Sequence, residues 1–292
     1  MKAYSLAWGK HRLDFGKRTC IMGVLNVTPD SFSDGGKFFT FDDAVAQGYR
    51  LFEAGADILD VGGESTKPFS NPVSEEEEIL RVVPVIEKLS KRIPIPISID
   101  TTKAGVAEQA IKAGASMIND VSSLNFDPKM GNVAVDYGVP VILMHMLGTP
   151  KSMQIEPFYD DLIGEIKTFF ENAIDQAENK GISRLKIIID PGIGFGKTVG
   201  HNLLLIQRLN EFKTLKVPIM IGTSRKAFIR NLLKDNTVEE INADSAMVES
   251  GTQASVAAAI LNGADIVRVH NVANTRVTVK IIDAIKNEQN FL

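Results

Sequence analysis

Polar side chains end a series of short apolar runs along this 292-residue chain. The residues concerned are Asn26, Asp60, Asp100, Asn119, Asp120, His145, Asp190, Ser224, Arg268 and His270. Carboxylates and amides together suit a flat heterocycle with an amino-pyrimidine edge, because adjacent N–H groups on that edge can donate in pairs to one carboxylate. Lys226, in GTSRK, is placed to lie over a ring face or to supply charge. A lone aspartate after a strand is more often a helix N-cap, but capping alone does not explain so many polar endings.

An anion site is indicated by two cationic residues near the end of the chain. Arg268 and His270 are two positions apart, so a strand would direct both to the same face. With Asn26 and Thr66 they form a candidate site for an anion such as pyrophosphate. The structural alternative, common where ionisable groups gather, is that Arg268 and His270 form ion pairs with Asp60 or Asp265.

The elements that would position these groups repeat along the whole chain. Short apolar runs, not alternating in polarity, occur at 20–27, 57–63, 95–100, 116–121, 140–146, 186–192, 217–224 and 265–270. Such runs are typical of parallel strands buried on both faces. The segments between them are amphipathic or rich in alanine, as helices are.

A repeated phrase supports the same alternation of helices and strands. EAGAD, KAGAS and NGAD precede three of the runs, and their glycines suit helix C-caps. We therefore predict an α/β protein with a (β/α)8 TIM-barrel fold, in a single domain over residues 1–292, with an open doubly wound sheet as the competing fold. The polar endings would then meet at the carboxyl end of the barrel, where barrel enzymes place their chemistry.

The glycine-rich stretch IIIDPGIGFGKT, residues 187–198, invites comparison with nucleotide-binding loops. A P-loop would require glycine where Pro191 stands, and the dinucleotide fingerprint would require glycine at Lys197. We infer instead that the glycines let the backbone turn tightly beside a flat ligand after Asp190. Lys197 and Thr198 are expected to form a solvent-exposed approach to a helix.

Composition narrows the function classes. The net charge of −4 gives no electrostatic support for nucleic-acid binding. No apolar run approaches the length of a membrane span, and the N-terminal segment lacks the apolar core of a signal peptide. The one cysteine, Cys20, fits a reducing compartment. We therefore expect a cytoplasmic protein. The few histidines and one cysteine have no zinc-ligand spacing, whereas Mg²⁺ bound by few protein groups and by phosphate oxygens is compatible with the sequence.

An ordered set of motifs resembles the dihydropteroate synthase family. The blocks are GVLNVTPDSFSDGG (23–36), DVGGEST (60–66), SIDT (98–101), IND (118–120), HMLGTP (145–150), IDPGIGFGKT (189–198), GTSRK (222–226) and RVH (268–270). Each block is modestly specific, but the ordered set spans almost the entire chain and is highly specific. The resemblance implies a (β/α)8 barrel and a transferase of folate biosynthesis. That enzyme joins 6-hydroxymethyl-7,8-dihydropterin pyrophosphate to p-aminobenzoate, giving 7,8-dihydropteroate and pyrophosphate.

The resemblance also implies roles for individual residues. The pterin would be bound by Asp100, Asn119, Asp190 and Lys226, in a slot shaped by Met144, Phe195 and Gly222. The pyrophosphate would be held by Asn26, Thr66, Arg268 and His270, with Asn26 on Mg²⁺. Around p-aminobenzoate the expected contacts are Phe32, Pro68 and Ser224, and Asp34 would assist the metal or the developing cation. Asp60 is expected to contact substrate. The expected catalytic residues are Asp34, Lys226, Arg268 and His270. The resemblance also implies sulfonamide sensitivity and a homodimer.

One departure from the family pattern lies in the second loop. Where the family usually has Arg-Pro-Gly after Glu-Ser-Thr, this chain has Lys67, Pro68 and Phe69. Lysine lacks the planar fork of arginine, and phenylalanine lacks the conformational freedom of glycine. Neutral drift of a surface loop is one explanation. The other is the hypothesis that Phe69 alters how tightly p-aminobenzoate and sulfonamides fit, which Phe69→Gly would test.

Two rival functions share part of this pattern. A pterin-dependent methyltransferase barrel would use methyltetrahydrofolate and a corrinoid partner, but the TPDSFSDGG loop and the RVH ending argue against it. A pterin-binding module without catalysis would not need Asn26, Asp34, Lys226, Arg268 and His270 together. A purely structural role leaves the polar strand ends without a purpose.

Overall fold

Eight parallel strands form the centre of the molecule, and helices surround them. The computed structural model describes residues 4–28, 40–65, 72–149, 153, 155–234 and 240–287. The described strands are β1 (Tyr4–Trp8), β2 (His11–Phe15), β3 (Cys20–Asn26), β4 (Ile58–Gly62), β5 (Ile97–Asp100), β6 (Met117–Asp120), β7 (Val141–Met144), β8 (Ile187–Asp190), β9 (Met220–Ile221) and β10 (Ile266–Val269). The described helices are α1 (Phe41–Glu53), α2 (Glu75–Ser90), α3 (Ala104–Lys112), α4 (Met130–Tyr137), α5 (Leu162–Asn179), α6 (Val199–Gln207), α7 (Ala227–Leu233), α8 (Ala246–Leu261) and α9 (Val272–Lys286). Short 3-10 turns cover Arg184–Lys186 and Leu209–Leu215.

The parallel sheet closes on itself. Its strand order is β8-β7-β6-β5-β4-β3-β10-β9. Its two ends meet at a parallel bridge between Ile189 and Ile219, where the Ile189 amide donates to the Pro218 carbonyl over 3.0 Å. The predicted (β/α)8 barrel is therefore confirmed, and the open doubly wound sheet is excluded. Each barrel strand lies within one of the predicted apolar runs.

Local chemistry sets the helix boundaries. Thr40 and Asp43 form a reciprocal capping box at the start of α1. The glycines of the repeated phrases have left-handed backbone angles, with φ of 103° at Gly55, 116° at Gly114 and 107° at Gly263. These angles strain any residue with a Cβ, so the predicted helix-to-strand turns are confirmed.

Among the described residues, no helix combines the length and the apolar character needed to cross a membrane.

Two apolar layers fill the space on either side of the barrel wall. Because side chains alternate along a strand, Ile21 packs outward with the helices while Met22 packs inward. The inner layer includes Ile58, Met117 and Ile188 and is fully buried. It lies near the amino ends of the strands and leaves the carboxyl ends to polar groups.

The amino end of the barrel is closed by a hairpin that the sequence analysis did not predict. Strands β1 and β2 pair antiparallel, with Trp8 opposite His11 across a two-residue turn that begins at Gly9. Gly9 has φ of 50°, a left-handed angle that suits such turns. Leu6 and Phe15, on the inner face of the hairpin, join the inner apolar layer. The hairpin therefore acts as the floor of the barrel.

Truncation of the floor should destabilise the whole fold. Phe15 has no exposed surface, so Phe15→Ala should lower the free energy of unfolding by about 3–5 kcal/mol through lost burial and a residual cavity. Urea unfolding can be followed by the fluorescence of Trp8, the one tryptophan of the chain, and in parallel by circular dichroism. Phe158→Ala, at a side chain that is 72% exposed, is the control and should change stability little. Equal effects of the two substitutions would contradict the assignment of the hairpin as part of the core.

Candidate active site

Strand register brings polar residues from distant parts of the chain to the carboxyl end of the barrel. Asp60 pairs across the sheet with Ser98, and Asp100 pairs with Asn119. Met144 pairs with Asp190 two strands further round. Residues opposite one another in parallel strands share a face, so these side chains face the interior with the inner apolar layer beneath them.

Arg268 is the hub of this polar layer. Its Nε donates to Asp60 Oδ2 over 2.6 Å, and its Nη2 donates to Asp100 Oδ2 over 2.7 Å. The side-chain amide of Asn119 donates to the same Asp60 oxygen over 3.0 Å. The structural alternative of an Arg268–Asp60 ion pair is therefore present, but the same guanidinium also holds Asp100. Asp265 lies elsewhere and accepts from the Ile219 amide.

Asp60 is fully buried within this polar layer. Its side chain has no exposed surface, so in this conformation it cannot touch a ligand. Its Oδ1 has no hydrogen-bond partner among the described residues. The expected substrate contact of Asp60 thus remains a prediction, and the observed contacts make it a support for Arg268 and Asn119.

An apolar slot lies beside the carboxylates. Met144 and Phe195 pack with Val121 and Met153 to form a small buried cluster at the mouth. Lys226 Nζ lies 4.1 Å from the centre of the Phe195 ring, a cation–π contact, while the expected position of Lys226 over the ring of a bound ligand stays a prediction. The slot thus has an apolar wall and a cation at its edge.

Two glycines shape the entrance to this slot. Gly194 has φ of 82°, and a Cβ there would lie 3.2 Å from Lys226 Cδ. At Gly222 a Cβ would meet Arg268 Cβ at 3.7 Å, an ordinary contact, so glycine is not forced by packing there. Its absent side chain instead keeps space open beside Arg268.

Burial shifts the pKa of the acidic groups at the mouth. Desolvation raises the pKa of Asp100 to about 7, against the opposing charge of Arg268. It also raises the pKa of Asp190, whose Oδ1 accepts from the Gly192 amide over 2.8 Å. These carboxylates are costly to keep ionised without further donors, so the layer is prepared for a ligand that brings N–H groups.

The basic groups respond to the same burial. Desolvation, with repulsion from Arg268, lowers the pKa of Lys226 to about 8. Arg268 also lies in a desolvated position, but Asp60 and Asp100 more than offset this and raise its pKa. Arg268 is therefore a permanent cation, whereas Lys226 loses its proton at a lower pH than an exposed lysine does.

Ser224 and His270 form a second polar group at the mouth. The Ser224 hydroxyl lies 3.0 Å from His270 Nδ1, and it accepts from the His270 amide over 3.3 Å. Asn26, half-buried, ends β3 next to Gly62 of β4. Asn26 ends β3, His270 directly follows β10, and Ser224 lies in the segment after β9, the side of the barrel that also carries Arg268.

Lys197 contradicts the expectation of solvent exposure. Only 3% of this residue is exposed, and its Nζ lies 3.0 Å from His145 Nδ1 and 2.9 Å from the Phe195 carbonyl oxygen. Its neighbour Thr198 is exposed and caps α6, as expected for a helix approach. The sequence signal was present but ambiguous: a lysine after a glycine turn can point either to solvent or back under the turn.

Six residues named in the sequence analysis lie outside the described residues. They are Phe32, Asp34, Thr66, Lys67, Pro68 and Phe69. The predicted contacts of these residues with p-aminobenzoate, pyrophosphate and metal therefore stay predictions. Among the described residues, no cluster of three or more histidine, cysteine, aspartate or glutamate side chains is arranged to hold a metal ion.

A cleft of about 650 Å³ lies at the opposite end of the barrel, between the segment before β3 and helices α1 and α9. Several of its polar groups already satisfy one another: Arg18 donates to both carboxylate oxygens of Asp57, and Thr19 donates to Asp283. The chemistry-bearing residues are at the mouth and not in this cleft.

Comparison with known proteins agrees with the geometry. Residues 22–270 match the sequence model of a family described as pterin binding enzyme. The chain is 45% identical to dihydropteroate synthase from Synechocystis sp., over 95% of this chain and 93% of that protein. It superposes on the crystal structure of the Yersinia pestis dihydropteroate synthase with a sulfonamide drug at a TM-score of 0.88 and 40% identity, covering 98% of this chain and 100% of that one. For the Xanthomonas albilineans enzyme in complex with 7,8-dihydropteroate the TM-score is 0.82 at 40% identity, over 94% of this chain and 96% of that one.

The raised pKa of Asp190 predicts that this carboxylate, although suited to ligand binding, destabilises the ligand-free protein when it is ionised. A carboxylate whose pKa is raised on folding stabilises the fold only while protonated, and this stability is lost as pH rises through the folded-state pKa. Asp190→Asn removes the titration but keeps an oxygen for the Gly192 amide. The ligand-free variant should therefore gain stability relative to wild type as pH rises from about 4 to 8.

Urea unfolding of both proteins across this pH range measures the difference. Asp136→Asn, at an exposed position on α4, is the control and should follow wild type at every pH. A difference between Asp190→Asn and wild type that stays constant or falls as pH rises would refute the prediction.

Proposed function

The chain belongs to the dihydropteroate synthases of the pterin binding enzyme family, and from this premise we propose how its residues carry out the reaction. The enzyme is a transferase that joins 6-hydroxymethyl-7,8-dihydropterin pyrophosphate to p-aminobenzoate. The products are 7,8-dihydropteroate and pyrophosphate, a step in folate synthesis. One observation supports this function most directly. At one end of the barrel, the structure brings together Asp100, Asn119, Asp190, Lys226 and Arg268.

The pterin ring takes the slot walled by Met144 and Phe195. Its amino-pyrimidine edge donates N–H groups to the Asp190 carboxylate, which has only the Gly192 amide as a hydrogen-bond donor among the described residues. Asn119 and Asp100 meet the remaining polar atoms of the ring, and Lys226 lies at its edge. These donors supply what the desolvated carboxylates lack, so pterin binding favours their ionised forms.

The pyrophosphate lies on the side of the barrel that carries Arg268 and His270. Arg268 is only 22% exposed and keeps its charge, so it offers a desolvated cation to the phosphate oxygens. His270, held by Ser224, supplies a second donor. Thr66 completes this group by family resemblance.

Magnesium is part of the proposal. Asn26 would hold it, because one half-buried amide oxygen at the end of β3 fits an ion that takes its other ligands from phosphate and water. When bound, Mg²⁺ neutralises charge on the leaving pyrophosphate.

The reaction needs no protein nucleophile, because the aryl amine of p-aminobenzoate attacks the pterin methylene carbon. The carbon–oxygen bond to pyrophosphate breaks, the new carbon–nitrogen bond forms, and the amine loses a proton. Positive charge develops on the pterin methylene, and the Asp190 and Asp100 carboxylates stabilise it while Arg268 stabilises the departing anion. Phe32, Asp34 and Pro68 are proposed to complete the p-aminobenzoate side, with Ser224 meeting its carboxylate.

Related enzymes support the choice of small-molecule ligands. The Xanthomonas albilineans relative was crystallised with 7,8-dihydropteroate and the Yersinia pestis relative with a sulfonamide drug. We propose that this chain is likewise inhibited by sulfonamides, which mimic p-aminobenzoate. We also infer that residues 1–292 form one catalytic domain and that the enzyme works in the cytoplasm, where its single cysteine stays reduced.

Pyrophosphate release tests the proposed function. Purified protein with dihydropterin pyrophosphate and Mg²⁺ should release pyrophosphate only when p-aminobenzoate is added, with an equal amount of dihydropteroate. Arg268→Met should lower kcat/KM by about 10²–10³-fold, the scale of losing one preorganised charge stabiliser. Pterin binding without turnover would favour the non-catalytic module, and no pterin binding would refute the site.

A homodimer is also proposed, supported by an apolar stripe on α9. Val277, Ile281 and Ile285 are spaced four residues apart and are 64%, 59% and 57% exposed. Residues four apart share a helix face, so the stripe is continuous and unusually apolar for solvent. We propose that a second copy of the chain covers it.

Sedimentation analysis tests the dimer. Wild type should sediment as a dimer, and Ile281→Glu should shift it to monomer because a carboxylate would be buried without a partner. Leu80→Glu, at a leucine on α2 that is 75% exposed, is the matched control and should remain dimeric. A monomeric wild type, or an Ile281→Glu protein as dimeric as wild type, would contradict the proposal.

A further inference from the structure

Lys197 links two segments beneath the candidate site through hydrogen bonds. This non-covalent cross-link has no part in the reaction described above. Its Nζ lies within hydrogen-bond distance of three acceptors: His145 Nδ1 at 3.0 Å, the Phe195 carbonyl at 2.9 Å and the His145 carbonyl at 3.4 Å. An ammonium group has three N–H donors, so this arrangement matches its donor capacity. Lysine is rarely buried unless its charge is satisfied in this way.

The cross-link joins the segments that follow β7 and β8. His145 is the first residue after β7, and its amide donates to the Asp190 carbonyl at the end of β8 over 2.9 Å. The His145 ring packs edge-on against Phe169 of α5, with ring centres 4.9 Å apart. On the other side, the Tyr159 hydroxyl donates to the Gly196 carbonyl over 2.9 Å. Lys197 thus completes a fixed set of contacts around the glycine turn.

Two functional groups depend on that turn. The Phe195 backbone is held directly by Lys197, and the Phe195 ring forms a wall of the slot with Lys226 above it. Asp190 begins the turn, and the Lys197 charge is close enough to favour its ionised form. The other groups that face Asp190 are Lys226, before α7, and Arg268, on β10.

We propose that Lys197 is a positioning residue for the pterin, which holds Phe195 in the slot wall and supplies a buried positive charge behind Asp190. The proposal rests on the proposed function, since it assumes that Asp190 binds the pterin in its ionised form. Lys197 does not itself touch substrate. It acts through the Phe195 backbone and through the Asp190 carboxylate.

The charge component has a definite pH signature. Burial raises the pKa of Asp190, while Lys226, Arg268 and Lys197 lower it. The pKa of His145 falls to about 2 through burial and the Lys197 charge, so His145 stays neutral. Burial lowers the pKa of Lys197 to about 7, with Asp190 opposing and Lys226 reinforcing, so Lys197 carries its charge through the acidic range. The acid limb of pterin binding is the pH range over which affinity falls as Asp190 becomes protonated. Loss of the Lys197 charge should therefore move this acid limb to higher pH.

Two substitutions separate the cross-link from the charge. Lys197→Met removes both, whereas Lys197→Gln keeps two N–H donors for the two carbonyls but no charge. Lys186→Met is the matched control, because Lys186 also donates to a loop carbonyl, that of Gly138 over 2.7 Å, at the opposite end of β8. Calorimetric titration with dihydropterin pyrophosphate between about pH 5 and 8 gives the affinity and its acid limb.

The expected results differ between the variants. Both Lys197 variants should bind the pterin about tenfold more weakly near pH 6 and show an acid limb about one pH unit higher. Lys197→Gln should be closer to wild type in thermal stability than Lys197→Met is, but its acid limb should stay shifted. Lys186→Met should match wild type in binding. The KM for p-aminobenzoate should stay near the wild-type value in all variants.

Folded Lys197 variants with the wild-type acid limb and affinity would overturn the proposal. If neither variant folds, the pH titration of the ¹⁵Nζ resonance of Lys197 in wild type decides: a change on pterin binding supports the proposal, and no change overturns it. A wild type that binds no pterin, or that releases no pyrophosphate with p-aminobenzoate, would overturn the proposed function instead. The two failures are thus distinguishable.

Discussion

A guanidinium held between two carboxylates deep in the barrel mouth is the interaction on which the site depends. Arg268 joins β10 to Asp60 on β4 and Asp100 on β5, and Asn119 on β6 completes the contact with Asp60. Burying these charges is unfavourable unless each has a partner, so no member can be removed without leaving another unsatisfied. The polar layer therefore behaves as one unit, and its net demand for further donors is what a pterin edge can meet.

The same constraint explains the division of the barrel interior. Inward-facing side chains are mostly apolar from the hairpin floor up to Ile58, Met117 and Ile188, with the buried Ser98 opposite Met117 as an exception. Polar side chains predominate in the next inward layer. A packed apolar interior gives the charged layer a rigid and poorly hydrated base. Electrostatic interactions there are stronger than in water, which suits a reaction that separates an anion from a developing cation. Stability at the floor and chemistry at the mouth are thus separated along each strand.

Backbone freedom is concentrated beside the slot. Gly192, Gly194 and Gly196 all have positive φ, and a Cβ at Gly192 would lie 2.0 Å from the His145 carbonyl oxygen. This close approach is possible only for glycine, and it places the His145 carbonyl where Lys197 can bond it. The glycine turn and the buried lysine are therefore parts of one structure: the turn brings the backbone close, and the ammonium satisfies the carbonyls that it exposes.

The sequence alone determined the strand positions, the glycine turns and the residues that end each strand. These features follow from local chemistry, because apolar runs, left-handed glycine angles and side-chain alternation are properties of neighbouring residues. It also indicated which polar groups would meet, since parallel strands of a closed barrel all end at the same face. The family resemblance added the reaction and the expected role of each residue.

Only the tertiary structure decided how those groups are partnered. Arg268 and Asp60 are 208 positions apart, and nothing local to either residue selects the other from among the carboxylates at the mouth. The burial of Lys197 and the use of the N-terminal hairpin as a floor also depend on contacts between distant segments. Such choices are made by packing and desolvation in three dimensions, where the cost of an unpaired buried charge is decided by every neighbour at once.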